Sequence, residues 1–437
     1  LRTSAHRTRT DVRTIVAWRW RISMKFLLPL SPLLAAAGIL LAGNGLQGTL
    51  IALRSSHEAF DPTLIGLMGT GYYAGFMLSC LFTARLIRAV GHIRVFSGLA
   101  SIAASASLTM VLWLDPFAWI GLRFVSGFCF AGLFMVIESW LNASVDNAHR
   151  AGTLSVYRMV DLAAVTGSQF LLPVVGAYGF AIFAIAAIMT SLSLVPISLM
   201  DRTAPKPPDE FRFSIASIWA ISPLACFGCI TIGMTNSTFR LMGPIYASEI
   251  GFDTTGIATF MSAGIVGGAV LQLPLGWLSD RLDRRWVLII ATLGAAASGF
   301  VLSNMAGTSH SLALTGIFMF GAFALPLYSL SAAHANDRAE RGQYVIVAAG
   351  LSFFFSLGAM IGPFVAAQVL SIFGPDFFFT YTSIVHLSLV VVTLWRMTVR
   401  RTPDMKAKKR YATLLRTSPV MYRLAHKAAS KASRKID

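Results

Sequence analysis

Five ionisable side chains interrupt long apolar runs of this chain: Arg123, Glu138, Arg158, Asp161 and Arg240. A charge in hydrocarbon is costly, so side chains of this kind face a polar interior or a partner rather than lipid. Arg158 and Asp161 stand three residues apart and can pair on one helix face. Two chemistries fit that spacing. Either the two form a neutralised internal ion pair, or Asp161 is a carboxylate whose protonation is coupled to a solute, because a desolvated acid titrates nearer neutral pH. Glu138 is open to the same coupling role, and its place near the end of its apolar run also lets it meet headgroups or a loop arginine. Asn44, Gln47 and Asn236 place amides in apolar surroundings, to bond either a solute or a neighbouring helix. Arg123 and Arg240 suit an anionic or zwitterionic solute. No nucleophile elbow, phosphate loop or metal triad accompanies these residues, so no enzyme chemistry, cofactor or metal is expected. Cys226-x-x-Cys229 lies in an apolar segment and reads as two small residues on one helix face.

The elements that must position these groups are apolar stretches. With 55% hydrophobic and 13% charged residues, the 437-residue chain cannot be arranged as a water-soluble globule. A bilayer core about 30 Å thick takes about twenty residues of helix. Twelve stretches are that long, at 27–53, 62–84, 93–114, 117–141, 153–177, 178–199, 218–247, 256–277, 286–304, 310–333, 343–371 and 376–397. Asp61-Pro62 and Asp115-Pro116 put a capping carboxylate before a proline at the first helical position, and Asp253-Thr254 acts likewise.

The formal charge of +17 resides at the two ends. Residues 1–25 hold seven basic residues and one acid, residues 396–437 hold thirteen and two, and the middle has sixteen of each sign. Basic tails beside membrane spans match attraction to anionic lipid headgroups, and no base-reading module accompanies them, so nucleic acid is not an expected partner. Twelve of the sixteen basic residues of the middle fall in even-to-odd connections, against Arg54 alone in an opposite-side loop. Both termini are therefore expected in the cytoplasm of a bacterium, with the chain in the inner membrane. Residues 1–25 form a basic segment in which Met24, just before the first span, is a candidate native start.

The proline-rich stretch DRTAPKPPDEFRFS at 201–214 reads as a linker. It divides a first half at 26–200 from a second at 218–397, with the linker at 201–217 and a basic tail at 398–437. Internal repetition supports the division. Asp146-x-Ala-x-Arg150 recurs as Asp337-x-Ala-x-Arg341, Pro173 recurs as Pro363, and the basic loop at Arg85 recurs at Arg281, at offsets of 191, 190 and 196. Gly71-x-x-x-Gly75 and Gly264-x-x-x-Gly268 predict close helix contacts.

The run Gly276-Trp-Leu-Ser-Asp280-Arg281-Leu-Asp-Arg284-Arg285 resembles the cytoplasmic gate motif of the major facilitator superfamily of secondary transporters. An aspartate at a span's end can pair with arginines across a helix interface and release them as the bundle rocks. The first-half counterpart has Ala84 before Arg85 where the family has Asp. Arg123-Phe-Val-Ser-Gly127 with Ala131 is similar to the family's span-four motif, with Ser126 in place of Gln, and Gly358-x-x-x-Gly362-Pro363 resembles a Gly-Pro motif of exporters. Glu138-Ser-Trp-Leu-Asn142 resembles the YcaD-like branch.

The resemblance implies an all-α polytopic membrane fold of twelve transmembrane helices in two pseudo-symmetric six-helix bundles. It implies that spans four, five and seven border a central cavity while three, six, nine and twelve are peripheral. It further implies transport of a small solute by alternating access, coupled to a proton or cation. The alternative is a sensor or scaffold of the same fold without transport, for which Ala84 speaks.

Overall fold

The computed structural model describes residues 28–145, 150–199, 215–305, 309–340, 343–399 and 411. The basic segment at 1–25, most of the linker and all but three residues of the tail lie outside them. The described residues form helices and no strand. In the first half these are α1 (Ser31–His57), α2 (Pro62–Val90), α3 (His92–Leu112), α4 (Pro116–Ala143), α5 (Arg150–Gln169), α6 (Leu171–Val175), α7 (Phe180–Leu192) and α8 (Leu194–Ser198). In the second they are α9 (Ile215–Ile221), α10 (Pro223–Glu249), α11 (Thr254–Arg281), α12 (Arg284–Met305), α13 (His310–Ala324), α14 (Leu327–Arg338), α15 (Tyr344–Phe373) and α16 (Phe377–Val399).

Four expected spans are thus divided. Prolines mark the breaks, because the ring removes a backbone donor and crowds the preceding turn. Pro173 lies in the short α6, Pro196 in the short α8, and Pro326 stands between α13 and α14. Pro223 starts α10, and α9 is turned from it by 110°, so the seventh span begins at 223 rather than 218. Among the described residues, ten helices are long and apolar enough to cross a membrane, or eleven with α9 and α10 counted together. The remaining expected span is α5 with α6, the one that carries Arg158 and Asp161.

The two halves repeat one packing scheme. In the first, α1 packs on α5, α2 on α4 and α3 on α7; in the second, α10 packs on α15, α11 on α13 and α12 on α16. Glycines set the closest of these contacts. Gly75 lies against the Phe124 carbonyl and Gly127 against that of Tyr72, while Gly267 lies against the Phe318 carbonyl and Gly321 against that of Gly264. At all four positions a Cβ would overlap the facing backbone. Without a hydrophobic force between helices in lipid, such close approach is what binds them.

Helix starts follow the sequence. Asp61 accepts from the Thr63 amide at 2.8 Å, Asp115 from Ala118 at 2.7 Å and Asp253 from Gly256 at 2.7 Å. The Thr63 side chain and amide hold the Asp61 carboxyl below the usual carboxylate range. That contribution is present above the unfolded-state value and fades as pH falls through the lowered one. Short turns at Gly91 and Gly374, with φ of 87° and 88°, need glycine.

The starts of α10 and α12 and the ends of α14 and α16 gather at one end of the bundle, termed here the basic end. At the opposite end the halves are sealed. There α2 packs on α15, with Gly66 against Ala367 and Pro363, the Thr70 hydroxyl donating to the Met360 carbonyl at 2.7 Å, and Gln368 donating to Thr63 at 2.9 Å. The pseudo-symmetric pair, α5 and α6 against α11, closes the other flank.

Gly127→Ala is expected to destabilise the protein by about 1–3 kcal/mol, since backbone cannot yield as a side chain can. Thermal unfolding in detergent checks this, with Gly98→Ala as the neutral control because an added Cβ there meets open space.

Candidate functional site

Between the halves lies a cavity of about 90 Å³. Its polar wall is Thr49 from α1, Arg158, Asp161 and Gln169 from α5, and Asn236 and Arg240 from α10. Its apolar wall includes Leu162, Val165, Phe239, Met261, Ile265 and Leu325. One face can bond or charge-pair a ligand while the other excludes water from it.

Arg158 and Asp161 pair at 2.8 Å with 23% and 16% of their side chains exposed. The same guanidinium donates to Gln272 of α11 at 3.4 Å, so this ion pair also ties the first half to the second. Thr49 donates to Gln169 at 2.6 Å, and Gln169 donates to the Gly45 carbonyl at 3.2 Å, fixing α1 on α5. Among the described residues, neither Arg240 nor Arg123 has a carboxylate within ion-pair distance.

Arg123 belongs to a buried network beside the cavity. It is 5% exposed, donates to Gln47 at 3.2 Å and lies over the Tyr72 ring at 4.3 Å, while the Tyr72 hydroxyl donates to Asn44 at 2.8 Å. A desolvated cation–π contact of this kind contributes about 2 kcal/mol and leaves the net charge in place. Arg123 is also close enough to Arg240 for the two charges to repel.

The expected site residues therefore separate into groups. Arg158, Asp161, Asn236 and Arg240 line the cavity; Asn44, Gln47 and Arg123 form the adjoining network. α4 supplies none of the residues lining this cavity, and its Arg123 stands in the adjoining network. Glu138 is wholly buried in the first half beside Tyr157 of α5 and Cys80 of α2, so it meets neither headgroups nor the cavity. Gln169, Gln272 and Tyr72 were missed by the sequence reading. The two glutamines carried a signal of the same kind as Gln47, an amide in an apolar run, whereas Tyr72 carried none.

At the basic end, Arg284 is shared by Asp280 at 3.3 Å and Asp337 at 2.6 Å, and donates to Ser279 at 2.9 Å. Arg285 pairs with Asp283 at 2.8 Å. These pairs lie within the second half and do not reach across to the first. Arg281 stacks on Trp277 at 3.9 Å, and Arg85 lies 5.7 Å from the Phe82 ring, both exposed. Tyr411 of the tail donates its amide to Asp280 at 2.7 Å with its ring against Gly276. Burial pushes its phenol up to about 12, so it stays neutral.

Two half-bundles sealed at one end around a charged cavity define a membrane transporter. The Major Facilitator Superfamily matches residues 33–225 and 224–430, and the chain belongs to that family. It is 22% identical over 368 residues to the uncharacterized MFS-type transporter YcaD of Escherichia fergusonii, covering 84% of this chain and 95% of that protein. It is 23% identical over 380 residues to an uncharacterized MFS-type transporter of Enterobacter sp. (strain 638), covering 86% and 97%. Among solved structures, the fold is similar to the nucleoside transporter NupG, with a TM-score of 0.69 at 12% identity over 84% of this chain and all of that one. It is also similar to an inward-facing, occupied bacterial homolog of the human lysosomal transporter Spinster, with a TM-score of 0.68 at 13% identity over 87% and 97% of the two chains.

Arg284 and Asp337 are 2% and 4% exposed. Arg284→Met, which removes the cation shared by two carboxylates, is expected to cost roughly 3–5 kcal/mol. Thermal or denaturant unfolding in detergent reads that loss, and a cost below about 1 kcal/mol would show the cluster to be solvent-compensated.

Proposed function

We propose that this chain carries a small organic anion across the bacterial inner membrane by alternating access, driven by protons, with the basic end and both termini in the cytoplasm. The observation that carries this reading is the charge of the cavity and its neighbouring network. Arg158 is balanced by Asp161, whereas Arg123 and Arg240 have no carboxylate partner among the described residues. Two repelling guanidiniums in a medium of low dielectric favour an anion between them. Phe239, Met261 and Leu325 opposite them suit an apolar portion of the same solute.

Coupling follows from the link between Asp161 and the contact across the halves. While Asp161 is ionised it orients Arg158 toward Gln272; protonation releases Arg158 and loosens α5 from α11. On this reading the seal at the opposite end faces away from the cytoplasm. Basic tails at that face are attracted to anionic lipids.

The first experiment compares metabolites of cells with and without the protein, then measures counterflow of each hit in proteoliposomes. Arg123→Gln and Arg240→Gln are each expected to lower exchange of an anion at least about tenfold, a change of 1.4 kcal/mol. A cationic cargo, or unimpaired exchange by both variants, would refute the anion assignment; binding without exchange would point to a sensor instead. Asp161→Asn should keep exchange and lose accumulation driven by a pH gradient.

Alternating access also requires Thr63 and Gln368 to part, since their hydrogen bond belongs to the sealed end. A disulfide formed between Thr63→Cys and Gln368→Cys is expected to stop transport and a reductant to restore it. Full transport by the cross-linked protein would exclude opening at that end.

A further inference from the structure

A recess opens at the basic end between four helices of the second half, apart from the central cavity. Ser222 at the start of α10, Arg285 of α12, His334 and Arg338 of α14, and Arg396 of α16 line it, and no carboxylate does. The acids closest in sequence to these arginines, Asp283 and Asp337, pair with Arg285 and Arg284. Among the described residues, Arg396 has no carboxylate within ion-pair distance. The Ser222 side-chain oxygen accepts from the Ala225 amide at 3.3 Å and keeps a hydroxyl hydrogen to donate. The first turn of α10 adds the positive end of a 27-residue helix to the same space. Guanidiniums and a hydroxyl gathered in this way suit the oxygens of a phosphate.

Depth and size narrow the source of that phosphate. Trp286 follows Arg285 and Trp395 precedes Arg396, and their side chains are 51% and 57% exposed. Exposed tryptophans beside the recess mark the level of the lipid headgroups. The recess holds about 10 Å³, room for roughly one water-sized group. A phosphate oxygen can enter while the rest of its molecule stays outside; a whole metabolite cannot be enclosed. We propose that this recess binds the phosphate of an anionic lipid headgroup, with Arg396, Arg338 and Ser222 as its donors. Bound there, the lipid ties the start of α10 to the ends of α14 and α16. Attraction between basic tails and a membrane is diffuse, whereas donors held by folded helices select one headgroup. The site lies within the second half, so it depends neither on a transported solute nor on the transport reading.

The test mixes the full-length protein, in a neutral detergent, with equal amounts of phosphatidylglycerol and phosphatidylcholine of the same acyl chains. Native mass spectrometry reads which lipid is retained. Both carry a phosphate, but the choline cation offsets it in the second. The protein is expected to retain phosphatidylglycerol over phosphatidylcholine by roughly tenfold, and Arg396→Gln to lower that ratio about fivefold, the effect of one basic residue beside an anionic headgroup. Arg396→Lys keeps the charge and is expected to stay within about twofold of the parent. Arg94→Gln removes an exposed arginine of the first half, at the start of α3 and outside the recess, and is expected to leave the ratio unchanged. A large excess of inorganic phosphate is expected to leave the lipid bound, because the free ion lacks an acyl anchor.

No preference in the parent, or an unchanged ratio in Arg396→Gln, would overturn the proposal. So would an equal fall for Arg94→Gln and Arg396→Gln, since net charge rather than the recess would then select the lipid. Loss of the preference in Arg396→Lys would overturn recognition by charge. Displacement of the lipid by inorganic phosphate would overturn the lipid assignment and make a free anion the occupant.

Discussion

Backbone lying directly on backbone at paired glycines is the constraint on which both halves depend. In lipid the solvent is as apolar as the side chains, so helices gain little by merely touching and gain by fitting closely. Gly75 with Gly127, and Gly267 with Gly321, allow α2 to meet α4 and α11 to meet α13 at a separation no larger residue permits. Each half is thereby a stiff body. Across the surface between the halves the described contacts include hydrogen bonds such as Gln368 to Thr63, an apolar seam at Gly66, and the Arg158 link to Gln272.

That division explains where charge can be tolerated. A guanidinium at bilayer depth needs partners or water. Arg123 has a ring face and an amide, which stabilise it without neutralising it. Arg158 has a carboxylate, and Arg240 opens on the cavity. Arg284 in the second half takes the other course, itself buried with carboxylates on two sides, Asp337 buried and Asp280 partly exposed. The first arrangement holds charge available to a ligand and the second consumes it in holding α11, α12 and α14 together.

How legible this was in the sequence depended on the kind of force involved. The class of fold was readable because apolar length and loop charge act locally, and the repeated halves showed in the offsets of Pro173 to Pro363 and Arg85 to Arg281. Helix starts at Asp61, Asp115 and Asp253 were equally local. Breaks within spans were harder, because Pro363 stays inside an unbroken α15 while its counterpart Pro173 lies past a break, a difference set by neighbours rather than by the residue. The site was half readable. In-span charges marked Arg158, Asp161 and Arg240, but which of them shares a space depends on how distant helices cross, so Glu138 could not be separated from them and Tyr72 or Tyr411 could not be found. A gate motif also states a composition, not a partner: Arg281 stacks on Trp277, while Asp280 pairs with Arg284 of the same half.

The halves differ most at the basic end, and the difference has a consequence for how that end can close. A symmetrical gate would set an aspartate of each half against basic groups of the other. Here Ala84 removes the first-half acid, and Asp280 is already engaged by Arg284 and by the Tyr411 amide. Ala84 therefore leaves the first-half motif without the carboxylate that Asp280 supplies in the second. The contact that does bridge the halves here, Arg158 to Gln272, involves the guanidinium that also pairs with Asp161. On the proposed transport cycle, closure at the basic end would be governed at the edge of the cavity itself, where the Asp161–Arg158 pair meets the contact between the halves.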